Sequence, residues 1–209
     1  MNRKQRKQLL GLLKLHHLSF DEANSYAKLT GHPVPSDTRA WSQILVSIIT
    51  GIQGIKRKKG PDLSDGSDVK AANTWEAIDT PRFNGVTKAG TKSLMSGKLK
   101  YLNSMPYIFF VLWDKEPNKQ RERCRVWAVR PQTDKLFRKM CDKWYKSKTI
   151  KSNNFQLQPP RNKNSNVFTG TFGNLEYPIL FKAEWYKNHY RIKEYKPGVL
   201  KNGNCKEVN

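Results

Sequence analysis

Residues 61–70 read PDLSDGSDVK, and this stretch decides how the chain is expected to fold. The Asp-Gly pair within it is typical of a turn, and the residues that follow read as a short strand. Side chains alternate along a strand, so Asp68 and Lys70 are expected on the same face. Asp62 can fold over to that face through the turn. The stretch therefore predicts two carboxylates and one amine gathered beside the start of a strand.

This grouping has two explanations on composition alone. Asp and Gly are ordinary turn formers, so the carboxylates can serve turn chemistry. Alternatively, Asp62 and Asp68 hold a divalent cation, because Mg²⁺ prefers oxygen ligands and also contacts substrate phosphate. The carbonyl of Val69 would add a ligand. Lys70 would position or deprotonate a bound water, or stabilise negative charge as a phosphodiester is attacked. This second explanation meets the needs of metal-assisted phosphodiester hydrolysis.

The charge of the whole chain points to a polyanionic partner. Of 209 residues, 39 are Lys or Arg and 17 are Asp or Glu, which gives a formal net charge of +22. Such a field repels cationic substrates and favours nucleic acid first and an anionic membrane surface second. Residues 62–79 reverse the sign, because they hold Asp62, Asp65, Asp68, Glu76 and Asp79 against the single basic residue Lys70. A carboxylate cluster inside so basic a chain needs a reason, and on composition alone turn chemistry and a cation site explain it equally well.

Hydrophobic periodicity predicts an α/β fold of mixed α+β character. Helices are expected at 2–17, 19–31 and 38–50, and a basic helix at about 132–146. Residues 105–113 are nearly all apolar, which is typical of a strand buried on both faces. Further strands are expected at 123–130, 155–158 and near 177–182, and residues 80–104 read as a long loop or lid.

The residues around the acidic stretch resemble a known family. Asp68-Val69-Lys70, preceded by Pro61-Asp62, matches the PD-(D/E)xK nuclease motif. Residues 37–51 read DTRAWSQILVSIITG, an apolar helix with a tryptophan that leads through a basic segment to the motif. Together they look like the MutH branch, which contains the mismatch-repair nicking endonuclease MutH and several monomeric type II restriction endonucleases. The resemblance covers residues 19–72.

The resemblance implies a PD-(D/E)xK core, a mixed central sheet flanked by helices, with Mg²⁺ dependence and cleavage of double-stranded DNA. Two positions depart from the family pattern. Asp68 replaces the usual Glu, which keeps the charge and shortens the reach by one methylene. Ser47 stands where some members carry a helix Glu near the metals. A later accessory lysine corresponds to Lys98 or Lys100.

Three segments carry the residues expected to contact DNA. The first segment is the basic run at 56–59, which either clamps phosphate or forms a soluble charged turn. The second segment belongs to the lid at 80–104. The third segment, at 155–164, either contacts DNA or is a solvated loop. Residues 155–164, FQLQPPRNKN, are similar to the branch's late strand and basic loop, which contact DNA. Arg pairs with guanine and Asn or Gln with adenine. The candidates are Lys56, Arg57, Lys58, Lys98, Lys100, Gln156, Gln158, Arg161 and Lys163.

The sequence therefore predicts a Mg²⁺-dependent type II restriction endonuclease. One alternative is a MutH-like nicking or repair endonuclease. Another is a non-catalytic basic nucleic-acid-binding module, which would share the charge without needing Asp62, Asp68 and Lys70 together. We expect an N-terminal helical segment at 1–36, a nuclease core with DNA-binding loops at 37–196 and a loose polar tail at 197–209.

Location and partners follow from weaker signals. No run of about 18 apolar residues exists, so no bilayer span is predicted, and the basic start carries no secretion signal. Three distant cysteines suit a reducing compartment. We expect a cytoplasmic monomer or homodimer that acts on double-stranded DNA, with a cognate DNA methyltransferase in the same system. His16 and His17 are expected at the surface, and Trp41, Trp113 and Trp127 in the core.

Overall fold

The computed structural model describes residues 1–32, 37–56, 60–75, 82–88, 99–147, 154–160 and 164–208. Within these ranges the helices are α1 (Arg3–Thr30), α2 (Arg39–Thr50), α3 (Lys135–Lys146) and α4 (Val199–Asn202), with a 3₁₀ turn at Lys100–Ser104. The strands are β1 (Asp68–Asn73), β2 (Phe83–Lys88), β3 (Ile108–Lys115), β4 (Glu122–Val129), β5 (Asn154–Leu157), β6 (Val167–Gly170), β7 (Gly173–Glu176), β8 (Ile179–Tyr186), β9 (His189–Tyr195) and β10 (Lys206–Val208).

A five-stranded mixed sheet in the order β1-β3-β4-β8-β9 forms the centre. β1 runs parallel to β3, and the other neighbours are antiparallel. A two-stranded ribbon, β2–β5, and a three-stranded sheet, β10-β7-β6, stand apart from it. The predicted mixed α+β class, with a central mixed sheet and helices, is confirmed.

Each face of the central sheet packs against a separate hydrophobic core. On one side of β3, Phe109, Val111 and Trp113 meet apolar residues of α1 and α2, and we call this the helical face. On the other side, Ile108 and Phe110 meet α3, the β2–β5 ribbon and β6, and we call this the ribbon face. The predicted strand buried on both faces is therefore present, although it begins two residues after Pro106.

A single long helix, α1, replaces the two helices predicted at 2–17 and 19–31. No Gly or Pro interrupts the chain near Ser19, and Leu13, Phe20 and Ala27 continue the buried side of the helix. The helix ends as predicted at Gly31, whose φ of 72° is the left-handed conformation that favours glycine. Ser19 is a good capping residue, but it lies inside a continuous helical pattern and does not begin a new helix.

The prediction that His16 and His17 lie at the surface is wrong, because both are buried. The His16 ring stacks on Trp113 with centroids 4.1 Å apart and contacts the Trp41 and Trp75 rings. Burial, followed by the neighbouring His17, lowers the pKa of His16 to about 4. His16 is therefore a neutral aromatic residue of the core. Of the three predicted core tryptophans, Trp113 and Trp127 are fully buried and Trp41 is partly buried against the helical-face core.

His17 attaches α1 to the sheet. Its Nδ1 faces Glu122 on β4 and its Nε2 lies 3.2 Å from Asp21 on α1.

The predicted lid at 80–104 contains β2 and the 3₁₀ turn, whereas residues 80–81 and 89–98 lie outside the described part. β2 depends on its pairing with β5, about 70 residues later, which local patterns do not reveal.

The tail predicted to be loose contains α4 and β10, and β10 pairs with β7. Arg130 fastens it by donating to the Gly203 carbonyl at 2.7 Å. The described helices include none that is long and apolar enough to cross a membrane.

Candidate active site

A tight turn brings Asp62 back onto the start of β1. The backbone N–H groups of Asp62 and Leu63 both donate to the Ser67 carbonyl at 3.1 Å, and Asp65 accepts from the Ser67 N–H at 2.9 Å. Gly66 has φ of +94°, and a Cβ there would lie 2.8 Å from the Ser104 carbonyl oxygen, so the turn requires glycine. Asp65 therefore serves turn chemistry, which leaves the other two carboxylates to be explained.

The acidic corner, which we define as Asp62, Asp68 and Lys70, is assembled by this turn. Asp62 Oδ2 accepts from the Val69 N–H at 2.9 Å, and Asp68 Oδ1 accepts from the same N–H at 3.0 Å. Lys70 Nζ lies 2.6 Å from Asp68 Oδ2, and these two side chains are 20% and 16% exposed. The three residues singled out in the sequence thus lie together, half-buried and reachable from solvent.

Paired register places Asp68 and Lys70 on the ribbon face. Asp68 and Lys70 pair with Ile108 and Phe110 of β3, whereas Val69 pairs with Phe109. Paired residues of neighbouring strands point to the same side of a sheet. Asp68 and Lys70 therefore project beside the β2–β5 ribbon, as the predicted alternation requires.

The electrostatics of the corner suit a further cation. Burial, followed by the hydrogen bond with the Asp68 carboxyl, raises the pKa of Asp62 to about 7. Two carboxylates share the single ammonium of Lys70, so the ionised corner carries a net negative charge. Oxygen donors in this arrangement are the ligands that Mg²⁺ prefers. The residues present therefore fit a hard divalent ion.

The Val69 carbonyl is placed to join this ligand set. β1 is an edge strand of the central sheet, and the Asp68 N–H donates toward β3, to the Tyr107 carbonyl at 3.0 Å. Hydrogen-bonding directions alternate along a strand, so the N–H and C=O of Val69 point away from β3. Its side chain is buried in the helical-face core.

Gln43 is a site residue that the sequence did not reveal. It lies on α2, and its Nε2 donates to Asp62 Oδ1 at 2.8 Å. Ser47, the position at which the resemblance to the MutH branch predicts an occasional Glu, is one helical turn further along α2. Gln43 and Ser47 are four residues apart and therefore lie on the same side of α2, which was the signal available in the sequence. That spacing could not show which turn of α2 faces Asp62.

Most predicted DNA-contacting cations lie where the structure gives no placement. Arg57, Lys58, Lys98, Arg161 and Lys163 are outside the described residues, and Lys100 begins the 3₁₀ turn. Lys56 is exposed and follows Ile55, whose N–H donates to the Asp62 carbonyl at 2.9 Å. It is therefore next to the backbone of the acidic corner. Gln156 lies on β5 and Gln158 immediately after it.

The fold and site together define a class: basic α+β proteins with a carboxylate pair and a lysine at the edge of a mixed sheet. The chain belongs to the MamI restriction endonuclease family, whose family model matches residues 25–190. Type II restriction enzyme MamI of Microbacterium ammoniaphilum is 32% identical over an alignment of 171 positions, which covers 76% of this chain and 55% of that protein. The chain thus spans about half the length of the curated relative it matches. No solved structure matches the chain.

Proposed function

We propose that the chain is a Mg²⁺-dependent endonuclease that hydrolyses phosphodiester bonds of double-stranded DNA at a specific sequence, as type II restriction endonucleases do. The observation that carries the proposal is the meeting of Asp62, Asp68 and Lys70 at the sheet edge. Membership of the MamI restriction endonuclease family supports it. We also assign the chain a PD-(D/E)xK core of the MutH-like kind, because the acidic corner joins a parallel β1–β3 pair to the Gln43-bearing helix α2.

The residues of the acidic corner have distinct roles. Asp62, Asp68 and the Val69 carbonyl would hold Mg²⁺, which when bound supplies Lewis acidity toward the phosphate. The Lys70 ammonium orients the attacking water or stabilises the charge that develops on the phosphate oxygens. Gln43 fixes the orientation of the Asp62 carboxylate through its 2.8 Å hydrogen bond.

The basic surface binds the DNA backbone. With 39 basic and 17 acidic residues, the chain gains affinity by releasing counterions, so binding should weaken steeply as salt is added. Phosphate contacts are assigned to seven residues of the sequence pattern: Lys56, Arg57, Lys58, Lys98, Lys100, Arg161 and Lys163. Gln156 and Gln158 are assigned uncharged hydrogen-bond contacts with DNA.

The biological setting is also part of the proposal. The protein acts in the cytoplasm on double-stranded DNA, as a monomer or homodimer, and a cognate DNA methyltransferase in the same system protects the host sequence. A symmetric recognition site would favour the homodimer.

The conversion of supercoiled plasmid in Mg²⁺ tests the function. A type II enzyme produces linear fragments with identical ends, and EDTA abolishes the reaction because the corner depends on a divalent ion. Open-circular DNA without linear product would instead indicate a nicking enzyme. If the chain binds varied DNA substrates and never cuts them, it is a non-catalytic module and the proposal fails.

A further inference from the structure

The outward side of the β2–β5 ribbon carries neutral amides. Phe155 and Leu157 of β5 are buried in the ribbon-face core. Gln156, which lies between these two residues, is half-buried, and Gln158, which follows them, is exposed. On β2, Asn84 is exposed. Strands favour β-branched and aromatic residues and are depleted in Asn. Asn84 therefore calls for a reason other than strand stability.

These amides face the same side of the molecule as the acidic corner. The inner side of the ribbon covers the central sheet through Phe83, whose ring centroid lies 4.6 Å from that of Phe110. Phe110 pairs in register with Lys70. Lys70 projects from the ribbon face, and the amides project outward from the ribbon that packs on that face, so both groups are presented in the same direction. β1 and β2 are also in contact with each other.

Hydrogen bonds hold the C-terminal end of the β5 segment in place. The Gln158 N–H donates to the Thr169 carbonyl at 2.7 Å, and the Thr169 N–H donates back at 3.1 Å. Two residues later, Arg125 Nη2 donates to the Pro160 carbonyl at 2.5 Å from within the core. A recognition surface held in place in this way loses little conformational freedom on binding.

The chemistry of the row matches base edges better than phosphate. In a chain of net charge +22, phosphate is bound most simply by Lys and Arg. An amide offers a donor and an acceptor together, which is the pattern that adenine presents through N6 and N7 in the major groove. A two-stranded ribbon is also narrow enough to enter that groove.

We propose that the outward amides of the β2–β5 ribbon, Asn84, Gln156 and Gln158, read base edges in the major groove and give the protein a requirement for adenine. The inference rests on the proposed function, since it assumes a double-stranded DNA ligand. It adds which surface reads the sequence, and which base that surface selects.

Selection of bound duplexes from a randomised pool tests the readout without cleavage. With Ca²⁺ present, the wild-type chain should enrich a motif that contains adenine. Gln158→Ala should lose the preference at one of those positions, while Gln8→Ala, an exposed amide on α1, should enrich the wild-type motif. If no motif is enriched, or if Asn84→Ala, Gln156→Ala and Gln158→Ala all keep the wild-type motif, the inference is overturned.

Replacing adenine by 7-deaza-adenine then identifies the contacted atom. The enriched duplex should lose roughly 10- to 100-fold in affinity for the wild-type chain when N7 is removed at the contacted adenine. The same replacement should cost the matching Ala variant nothing, because its contact is already gone. An equal penalty in wild type and all three variants would contradict the assignment. Readout without cleavage would refute the proposed function alone, and cleavage with unchanged specificity in the variants would refute the inference alone.

Discussion

The acidic corner and a second charged group on the ribbon face combine carboxylates with cations in opposite ways. The second group, which we call the arginine cluster, is Asp114 of β3 with Arg123 and Arg125 of β4. Arg123 Nε and Arg125 Nη2 each lie 2.7 Å from an oxygen of Asp114. The three side chains are at most 3% exposed, against 16–20% for Asp68 and Lys70. Ion pairs of similar length thus lie in very different surroundings.

The donors of the arginine cluster also hold the chain between β5 and β6. Arg123 Nη1 donates to Asn164 Oδ1 at 2.8 Å, and Arg125 donates to the carbonyls of Ser165 at 2.9 Å and Pro160 at 2.5 Å. The acidic corner has two carboxylates for one lysine and remains open to solvent. The buried arginine cluster therefore holds backbone segments in place, whereas the half-exposed acidic corner is the group that we propose to bind a cation and substrate.

The largest expected difference between the two clusters is in stability. Asp114→Ala leaves two buried guanidinium groups without a carboxylate, and we expect a loss of about 3–5 kcal/mol in the free energy of unfolding. Asp68→Ala should cost little, because it also removes the repulsion between Asp68 and Asp62. Urea denaturation of both variants measures the difference.

Asp142→Ala is the matched control for removing an aspartate. Its carboxylate makes an exposed pair with Lys146 on α3, so the variant should lose no more than about 0.5 kcal/mol. Equal destabilisation by Asp114→Ala and Asp68→Ala would remove the distinction between the clusters.

The next largest effect is the pH dependence of the acidic corner. Because the pKa of Asp62 is raised to about 7, the folded metal-free protein binds a proton that the unfolded chain has released. This group therefore stabilises the fold at pH below about 4, and the contribution is lost as pH rises toward 7. Metal binding needs the ionised carboxylate, so Mg²⁺ affinity should rise with pH up to about 7 and then level off.

Calorimetry of Mg²⁺ binding in two buffers of different ionisation enthalpy measures this proton. At pH 6 we expect close to one proton released per ion bound, and almost none at pH 8. In Asp68→Asn the pKa of Asp62 should fall, because the neighbouring carboxylate is gone while burial remains, and less proton should be released. Proton release that is the same at both pH values would contradict the assignment of Asp62.

The sequence predicted those parts of the site that depend on local geometry. The turn at Gly66 and the alternation along β1 are encoded within ten residues, so the meeting of Asp62, Asp68 and Lys70 was predictable. The buried strand β3 and its neighbour β4 were predictable for the same reason, since an apolar or alternating run fixes which side chains point inward.

The rest depends on contacts between distant segments. Gln43 meets Asp62 only because α2 packs against the sheet, and which turn of the helix does so is a tertiary property. His16 is polar by type, but three tryptophans from distant positions enclose it. β2 exists through its pairing with β5. The alternating pattern around Arg123 and Arg125 predicts a strand, but nothing in the local sequence shows that both charges are buried with Asp114.

The most direct measurement of the role of the acidic corner is the rate of DNA cleavage in Mg²⁺ by wild type, Asp68→Ala, Lys70→Ala and the control Asp142→Ala. We expect the two corner variants to cut roughly 10²- to 10⁴-fold more slowly, with metal-free DNA binding undiminished, and Asp142→Ala to cut at the wild-type rate. Cleavage by Asp68→Ala and Lys70→Ala at the wild-type rate would show that the reaction occurs elsewhere in the molecule.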